Sequence, residues 1–189
     1  MHVLVLHSAL GLRAGVHDAM RRLEAAGHSA TAPDLYAGRT FADVGEGVAH
    51  ADELGWPVLQ ARTAQALPGL PDDLAVLGTS MGAGLALEVA ATRPGVRGAL
   101  LLHAAMPWDG HWPAVPVEAH HSVGDRWVDE GQPAALCDQV ARAGARASLH
   151  VYPGDRHLFT DPGLPDEHVP ADTELLWQRA LAFLGAISP

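Results

Sequence analysis

A serine flanked by glycines is the first feature of this sequence that could do chemistry. It lies in the segment Gly78-Thr79-Ser80-Met81-Gly82, between an apolar run at 74–77 and a helical pattern at 81–92. In a Gly-x-Ser-x-Gly segment the turn from strand to helix is so tight that the flanking positions tolerate little side chain, and the serine hydroxyl is exposed at the carboxyl edge of a sheet. We therefore predict that Ser80 is a nucleophile.

A serine nucleophile needs a general base and an acid that orients the base. His157 follows the last predicted strand, at 148–152, and that loop returns to the edge of the sheet that carries Ser80. Histidine suits the role because its ordinary pKa, near ~6.5, lets it accept the serine proton and later return it to a leaving group. Asp125, directly after a predicted strand at 115–123, is the predicted acid, and Asp129 and Asp155 are its rivals.

An oxyanion needs backbone N–H donors close to the nucleophile. The helix that begins at Met81 directs its free N–H groups and the positive end of its dipole at Ser80, so the Met81 N–H is one predicted donor. A second should come from the loop after the first strand, where either Ala9 or Leu10 could supply it.

The composition excludes several classes of function. All twelve basic residues are arginines, so Schiff-base chemistry, a pyridoxal phosphate anchor and a Walker lysine are excluded. The net charge of -10 and the scattered cations argue against a nucleic-acid partner. His120 and His121 are adjacent in a predicted strand and would face opposite sides of a sheet, so we predict no metal site and no cofactor.

The elements that must position these residues alternate between short apolar runs and longer helical patterns. Such alternation predicts an α/β fold with a mostly parallel sheet of six or seven strands and helices on both faces. The predicted strands are 2–7, 28–32, 74–77, 96–103, 115–123 and 148–152, and the predicted helices are 14–26, 44–67 with a break at 55–57, 81–92, 133–143 and 171–184. At 189 residues the chain is predicted to be one domain.

Two further features bear on where the protein works. Cys137 is alone in the sequence and is predicted to be a small core residue, which suits a reducing compartment. The chain enters its first strand without a basic leader, and no apolar stretch approaches the ~18 to 20 residues that span a bilayer. We therefore expect a cytoplasmic protein with no membrane partner, either a monomer or a homodimer.

Four segments resemble the dienelactone hydrolase family, a compact branch of the α/β-hydrolases without a cap domain. They are the loop at 7–11, Ala32-Pro33-Asp34-Leu35-Tyr36, the turn at Ser80, and the stretch from 152 to 159 that contains His157. The resemblance covers nearly the whole chain. It implies the α/β-hydrolase fold and a catalytic triad of Ser80, Asp125 and His157.

The sequence departs from the founding enzymes of that family. Those enzymes use cysteine where Ser80 stands, carry a glutamate where Ser8 stands, and hold a substrate carboxylate with arginines. One of those arginines follows the histidine, where this chain has Asp161, and Arg39 is the arginine left for the role. These differences favour an ordinary serine esterase and make dienelactone itself a doubtful substrate.

The leading interpretation is hydrolysis of a small carboxylic ester or lactone through an acyl-enzyme on Ser80. The alternatives are a catalytically silent binding protein of the same fold, and an acyltransferase or thioesterase with the same triad. No predicted insertion is long enough for a lid, so the pocket is expected to be shallow. Its walls are expected from residues near the same edge of the sheet: Leu10, Tyr36, Arg39, Met106, Trp108, Trp112, Trp127 and Phe159.

Overall fold

The computed structural model describes residues 1–129 and 131–188, and its elements follow the predicted alternation of strands and helices. The strands are β1 (His2–Leu6), β2 (Ser29–Thr31), β3 (Leu74–Thr79), β4 (Val96–Leu102), β5 (Val117–Ser122) and β6 (Ala147–Tyr152). The helices are α1 (Ala14–Ala25), α2 (Val44–Leu54), α3 (Trp56–Gln65), α4 (Met81–Thr92), α5 (Gln132–Arg142) and α6 (Pro170–Ile187). The predicted break at 55–57 separates α2 from α3, at Gly55 with a φ of 80°.

The strands form a six-stranded sheet in the order β2-β1-β3-β4-β5-β6, and every pair in it is parallel. The predicted α/β class and the α/β-hydrolase-like fold are confirmed. All strands of a parallel sheet point the same way, so the loops that follow β1, β3, β5 and β6 emerge at one edge. This edge carries the residues that the sequence assigns to chemistry.

Each face of the sheet is covered by its own hydrophobic core, because successive side chains of a strand point to opposite sides. In β3, Leu74 and Val76 pack with α3, α4 and α5, whereas Ala75 and Leu77 pack with α1 and α6. β5 departs from this pattern. Val117 and Ala119 join the first core, but Glu118 and His120 are buried on the side of the second.

Two expectations need adjustment. Cys137, predicted to be a core residue, is only half-buried on α5. β5 begins at Val117, two residues later than predicted, after Pro116, which has no N–H to donate to a neighbouring strand. Within the described part of the chain, no helix has the length and apolar character needed to cross a membrane.

Candidate active site

The turn that carries Ser80 is one residue long, because β3 ends at Thr79 and α4 begins at Met81. Ser80 has φ 53° and ψ −115°, a conformation that non-glycine residues rarely adopt. A Cβ on Gly78 would lie 2.6 Å from the Ala83 Cα, and a Cβ on Gly82 would lie 2.6 Å from the His7 carbonyl oxygen. Both glycines are therefore required by close backbone approach, and α4 starts directly against the end of β1.

The loop after β6 brings His157 to the Ser80 hydroxyl. The distance from His157 Nε2 to Ser80 Oγ is 2.8 Å, and His157 is almost completely buried. At this distance the imidazole can accept the hydroxyl proton directly.

The loop after β5 places Asp125 on the other side of the same imidazole. Asp125 Oδ2 lies 2.7 Å from His157 Nδ1, and the carboxylate is fully buried. Its second oxygen, Oδ1, accepts a hydrogen bond of 2.9 Å from the Trp127 backbone N–H. Of the two rivals, Asp129 accepts from the Gln132 side chain and Asp155 lies 3.8 Å from Arg156, so the structure brings only Asp125 to His157.

Two hydrogen bonds hold these loops together. The Ser122 hydroxyl donates to the Arg156 carbonyl oxygen at 2.8 Å, and the Gly124 N–H donates to the Gly154 carbonyl oxygen at 2.9 Å. The loops that carry Asp125 and His157 are therefore fixed to each other as well as to the sheet.

The predicted oxyanion donors lie beside Ser80. Ala9 and Met81 line the same cleft as Ser80, and neither backbone N–H has an acceptor within the described residues. The Leu10 N–H, by contrast, donates to Ser8 Oγ at 3.2 Å. Of the two alternatives in this loop, Ala9 is the one with a free donor.

A largely apolar cleft of about 600 Å³ opens at Ser80 and His157. Trp108, Trp127 and Met106 line it, as the sequence predicts. Sequence reasoning missed other lining side chains, which come from α2, α3 and α4: Val48, Ala51, Asp52, Trp56, Leu59 and Leu87. Trp56 is the largest of these side chains. The predicted break between α2 and α3, which places Trp56 at the start of a helix, is the sequence feature that could have pointed to it.

The remaining predicted wall residues lie elsewhere. Four of them are buried in the protein interior and do not line the cleft: Leu10, Tyr36, Trp112 and Phe159. The prediction was wrong for these residues because loop position alone does not reveal which way a side chain points. Arg39 is exposed, and its guanidinium lies 3.5 Å from His50 Nδ1, outside the cleft.

Tyr36 contacts Met81, a residue that lines the cleft, from the protein interior. Its hydroxyl donates to the Met81 sulfur at 3.3 Å, and burial raises the pKa of Tyr36 to about 12, so the phenol stays protonated. Tyr36 thereby supports the side chain of the residue that follows the predicted nucleophile.

His103 is a further buried group near the site, and no motif in the sequence pointed to it. It follows β4 with a φ of 64°, its Nε2 lies 2.8 Å from Thr160 Oγ1, and its ring centroid is 6.3 Å from that of His157. Burial lowers the pKa of His103 well below its ordinary value, with a further contribution from His157. A neutral imidazole therefore lies next to the predicted base.

Asp161 lies in the neighbourhood where the family resemblance implies an arginine that holds the substrate carboxylate. It is buried and lies 3.4 Å from the Arg13 guanidinium, in an ion pair between the loop after His157 and the start of α1. Asp161 therefore forms a structural ion pair and does not face the cleft.

A tight turn between a parallel strand and a helix that carries the predicted nucleophile, with the predicted acid and base on later loops of the same edge, is typical of the α/β-hydrolase fold. Solved structures of that fold superpose on the chain. The protein m3DLH is 22% identical, with a TM-score of 0.83 over 100% of this chain and 87% of that one. P91, a dienelactone hydrolase-like promiscuous phosphotriesterase from metagenomic libraries, is 20% identical, with a TM-score of 0.79 over 98% and 86%. A Klebsiella pneumoniae protein assigned to the dienelactone hydrolases is 19% identical, with a TM-score of 0.77 over 97% and 86%.

The family follows from the sequence itself. The model of the dienelactone hydrolase family matches residues 1–188, so the chain belongs to this family, and the predicted resemblance is confirmed. No curated protein matches the sequence significantly.

Proposed function

We propose that the chain is a serine esterase that hydrolyses small, uncharged carboxylic esters or lactones through an acyl-enzyme on Ser80. One observation carries the proposal: hydrogen bonds of 2.8 and 2.7 Å link Ser80, His157 and Asp125 at the wall of an apolar cleft. This is the arrangement by which an imidazole activates a serine hydroxyl.

In the proposed reaction Ser80 Oγ attacks the carbonyl carbon of the ester while His157 Nε2 takes the hydroxyl proton. Asp125 keeps the other imidazole proton on Nδ1 and stabilises the imidazolium. The N–H groups of Met81 and Ala9 stabilise the oxyanion, which then collapses and expels the alcohol with the proton from His157. Water next attacks the acyl group on Ser80, again with His157 as base, and the carboxylic acid leaves.

The charges of the cleft support an uncharged substrate. Among the described side chains that line it, Asp52 and Asp109 are the charged ones apart from the triad, and no arginine is present. Carboxylates repel a carboxylate substrate, whereas Trp56, Trp108 and Trp127 offer apolar and aromatic contact. The proposed substrates therefore differ from the carboxylate substrate that the family resemblance implies.

The first experiment separates this enzyme from a silent binding protein. A fluorophosphonate probe should label the wild type and a Ser29→Ala control, and both should hydrolyse p-nitrophenyl acetate. Ser80→Ala should do neither. An unlabelled, inactive wild type would overturn the proposed enzyme and favour a catalytically silent protein of the same fold. Transfer of the acyl group to an added alcohol in preference to water would indicate an acyltransferase.

The second experiment tests the substrate class. We expect kcat/KM to be about ten-fold higher for a neutral p-nitrophenyl ester than for the p-nitrophenyl half-ester of a dicarboxylic acid of equal length. This ratio corresponds to a difference of about 1.4 kcal/mol in activation free energy. Asp52→Asn combined with Asp109→Asn should reduce the difference, with Asp129→Asn as the control. Equal kcat/KM values in the wild type would contradict the proposed selectivity.

A further inference from the structure

Three potential metal ligands lie on one face of the sheet, outside the Ser80 cleft. Glu118 and His120 are two residues apart on β5, and His150 lies directly opposite His120 on β6. Side chains two residues apart on a strand face the same side, so the parallel register collects all three. Their ligand atoms lie within 4.8 Å of one another.

The distances within this cluster match those of donors that share one ion. Glu118 Oε1 lies 3.1 Å from His120 Nε2, and Glu118 Oε2 lies 3.3 Å from His150 Nε2. Two ligands of a tetrahedral zinc ion, with bonds of about 2.0–2.1 Å, are separated by about 3.3–3.4 Å. Small side-chain adjustments therefore suffice to direct all three donors at one centre.

The outer shell of the cluster also fits a metal site. His120 Nδ1 lies 2.9 Å from the Tyr152 hydroxyl, and the Arg179 guanidinium lies 5.3 Å from the centre of the Tyr152 ring. A metal-bound histidine almost always engages its second ring nitrogen in such a contact, which fixes the orientation of the ring. His120 is thus held with Nε2 toward Glu118.

Burial and charge provide a reason for a cation. Glu118 and His120 are 3% and 1% exposed, and burial lowers the pKa of His120, which favours a neutral imidazole. Within residues 1–129 and 131–188, no arginine forms an ion pair with Glu118, and a buried carboxylate without a positive partner is costly. The His150 side chain, 26% exposed on the edge strand, offers a route of entry from solvent.

We propose that Glu118, His120 and His150 bind a Zn²⁺ ion, with water as the fourth ligand. Binding requires the neutral His120 to change tautomer: Nε2 gives up the proton that it otherwise donates to Glu118, a proton is taken up at Nδ1, and the imidazole keeps one proton throughout. The Tyr152 hydroxyl changes from donor to acceptor at His120 Nδ1. The sequence predicted no metal site, because the adjacent His120 and His121 face opposite sides of a strand and no H-E-x-x-H or Cys/His spacing is present.

The proposed ion would have a structural role. It would join β5 to β6, and these strands lead into the loops that carry Asp125 and His157. The inference does not depend on the proposed esterase function, since the ligands do not line the Ser80 cleft.

The test is metal binding by chelator-treated protein, measured by calorimetry with Zn²⁺ and by visible absorption with Co²⁺. We expect one equivalent of each metal, with a tetrahedral cobalt spectrum. His150→Ala and Glu118→Gln should each weaken binding by more than about 100-fold, and Tyr152→Phe by about 10-fold, because loss of an outer-shell partner costs about 10- to 100-fold. His121→Ala, on the opposite face of β5, is the matched control and should bind as the wild type does.

A stability measurement gives an independent readout. At a free Zn²⁺ concentration 100 times Kd, the Tm of the wild type should rise by about 5 to 10 °C, and that of His150→Ala should not change. Since His150 is partly exposed, this variant is expected to fold even if Glu118→Gln does not. The proposal is overturned if the wild type shows no saturable binding, or if His150→Ala binds one equivalent with unchanged affinity.

Discussion

Replacing Asp125 with asparagine changes one atom of the carboxylate and tests the proposed triad most directly. The two oxygens of Asp125 have different partners: Oδ1 accepts from the Trp127 N–H and Oδ2 accepts from His157 Nδ1. In Asp125→Asn, the amide oxygen must stay toward Trp127, because the opposite orientation sets two buried N–H donors against each other. Such an unsatisfied donor costs about 1–3 kcal/mol.

The amide NH₂ group then faces His157 Nδ1, which must become an acceptor. The remaining imidazole proton moves to Nε2, the nitrogen 2.8 Å from Ser80 Oγ, so His157 can no longer take the hydroxyl proton. Loss of the correct tautomer lowers kcat by about 10⁴-fold in serine triads, equivalent to about 5.4 kcal/mol of transition-state stabilisation. The free energy of unfolding should change far less, because the shape of the residue is kept.

The assay is kcat for a p-nitrophenyl ester, together with the rate of fluorophosphonate labelling and urea unfolding. Asp129→Asn and Asp155→Asn are the matched controls, since both rivals lie in the same two loops without touching His157. We expect both controls to keep kcat within about two-fold of the wild type. A mild and equal loss in all three variants would refute the tautomer argument and the assignment of Asp125.

The remaining predictions concern stability. Gly82→Ala should destabilise the fold by about 2–3 kcal/mol, because its new methyl group meets backbone carbonyl groups at the end of β1. Gly185→Ala, on an exposed helical turn with open space around the added methyl group, should stabilise the fold by about 0.5–1 kcal/mol. Urea unfolding measures both values, and equal signs would contradict the steric argument. Because burial lowers the pKa of His103 in the folded state, the unfolded chain protonates first as the pH falls below 6.5. The wild type should therefore lose about 1 kcal/mol more than His103→Asn between pH 6.5 and 5.5, and parallel curves of unfolding free energy against pH would disprove this coupling.

The sequence predicted the positions of the site residues better than the surroundings of each side chain. Ser80, Asp125 and His157 lie within five residues of the ends of β3, β5 and β6. The ends of parallel strands meet at one edge, so chain position alone was enough to predict that they come together. Tyr36 and Phe159 come from loops of the same edge but are buried. Their burial was not predicted, because no short-range sequence pattern indicates which face of a loop packs inward. The available sequence signals therefore predicted the residues of the candidate site without defining its walls.

The cluster of Glu118, His120 and His150 illustrates a second limit. The spacing of two residues on β5 was visible, but the third member depends on the register between β5 and β6. A shift of one residue in that register would turn His150 to the opposite face. Contacts of this kind depend on the register between strands, which no local sequence pattern predicts.

β6 lies at the margin of the sheet and pairs with a single neighbour. Its residues 147–150 are half-buried and Val151 is exposed, whereas β3 in the interior is almost entirely buried. Opening a marginal strand breaks one ladder and exposes little apolar surface, so it requires less free energy than unfolding the whole domain. The proposed general base is attached to this strand. We therefore expect local opening of β6 to displace His157 from Ser80, and amide hydrogens of β6 to exchange with solvent sooner than those at the centre of the sheet.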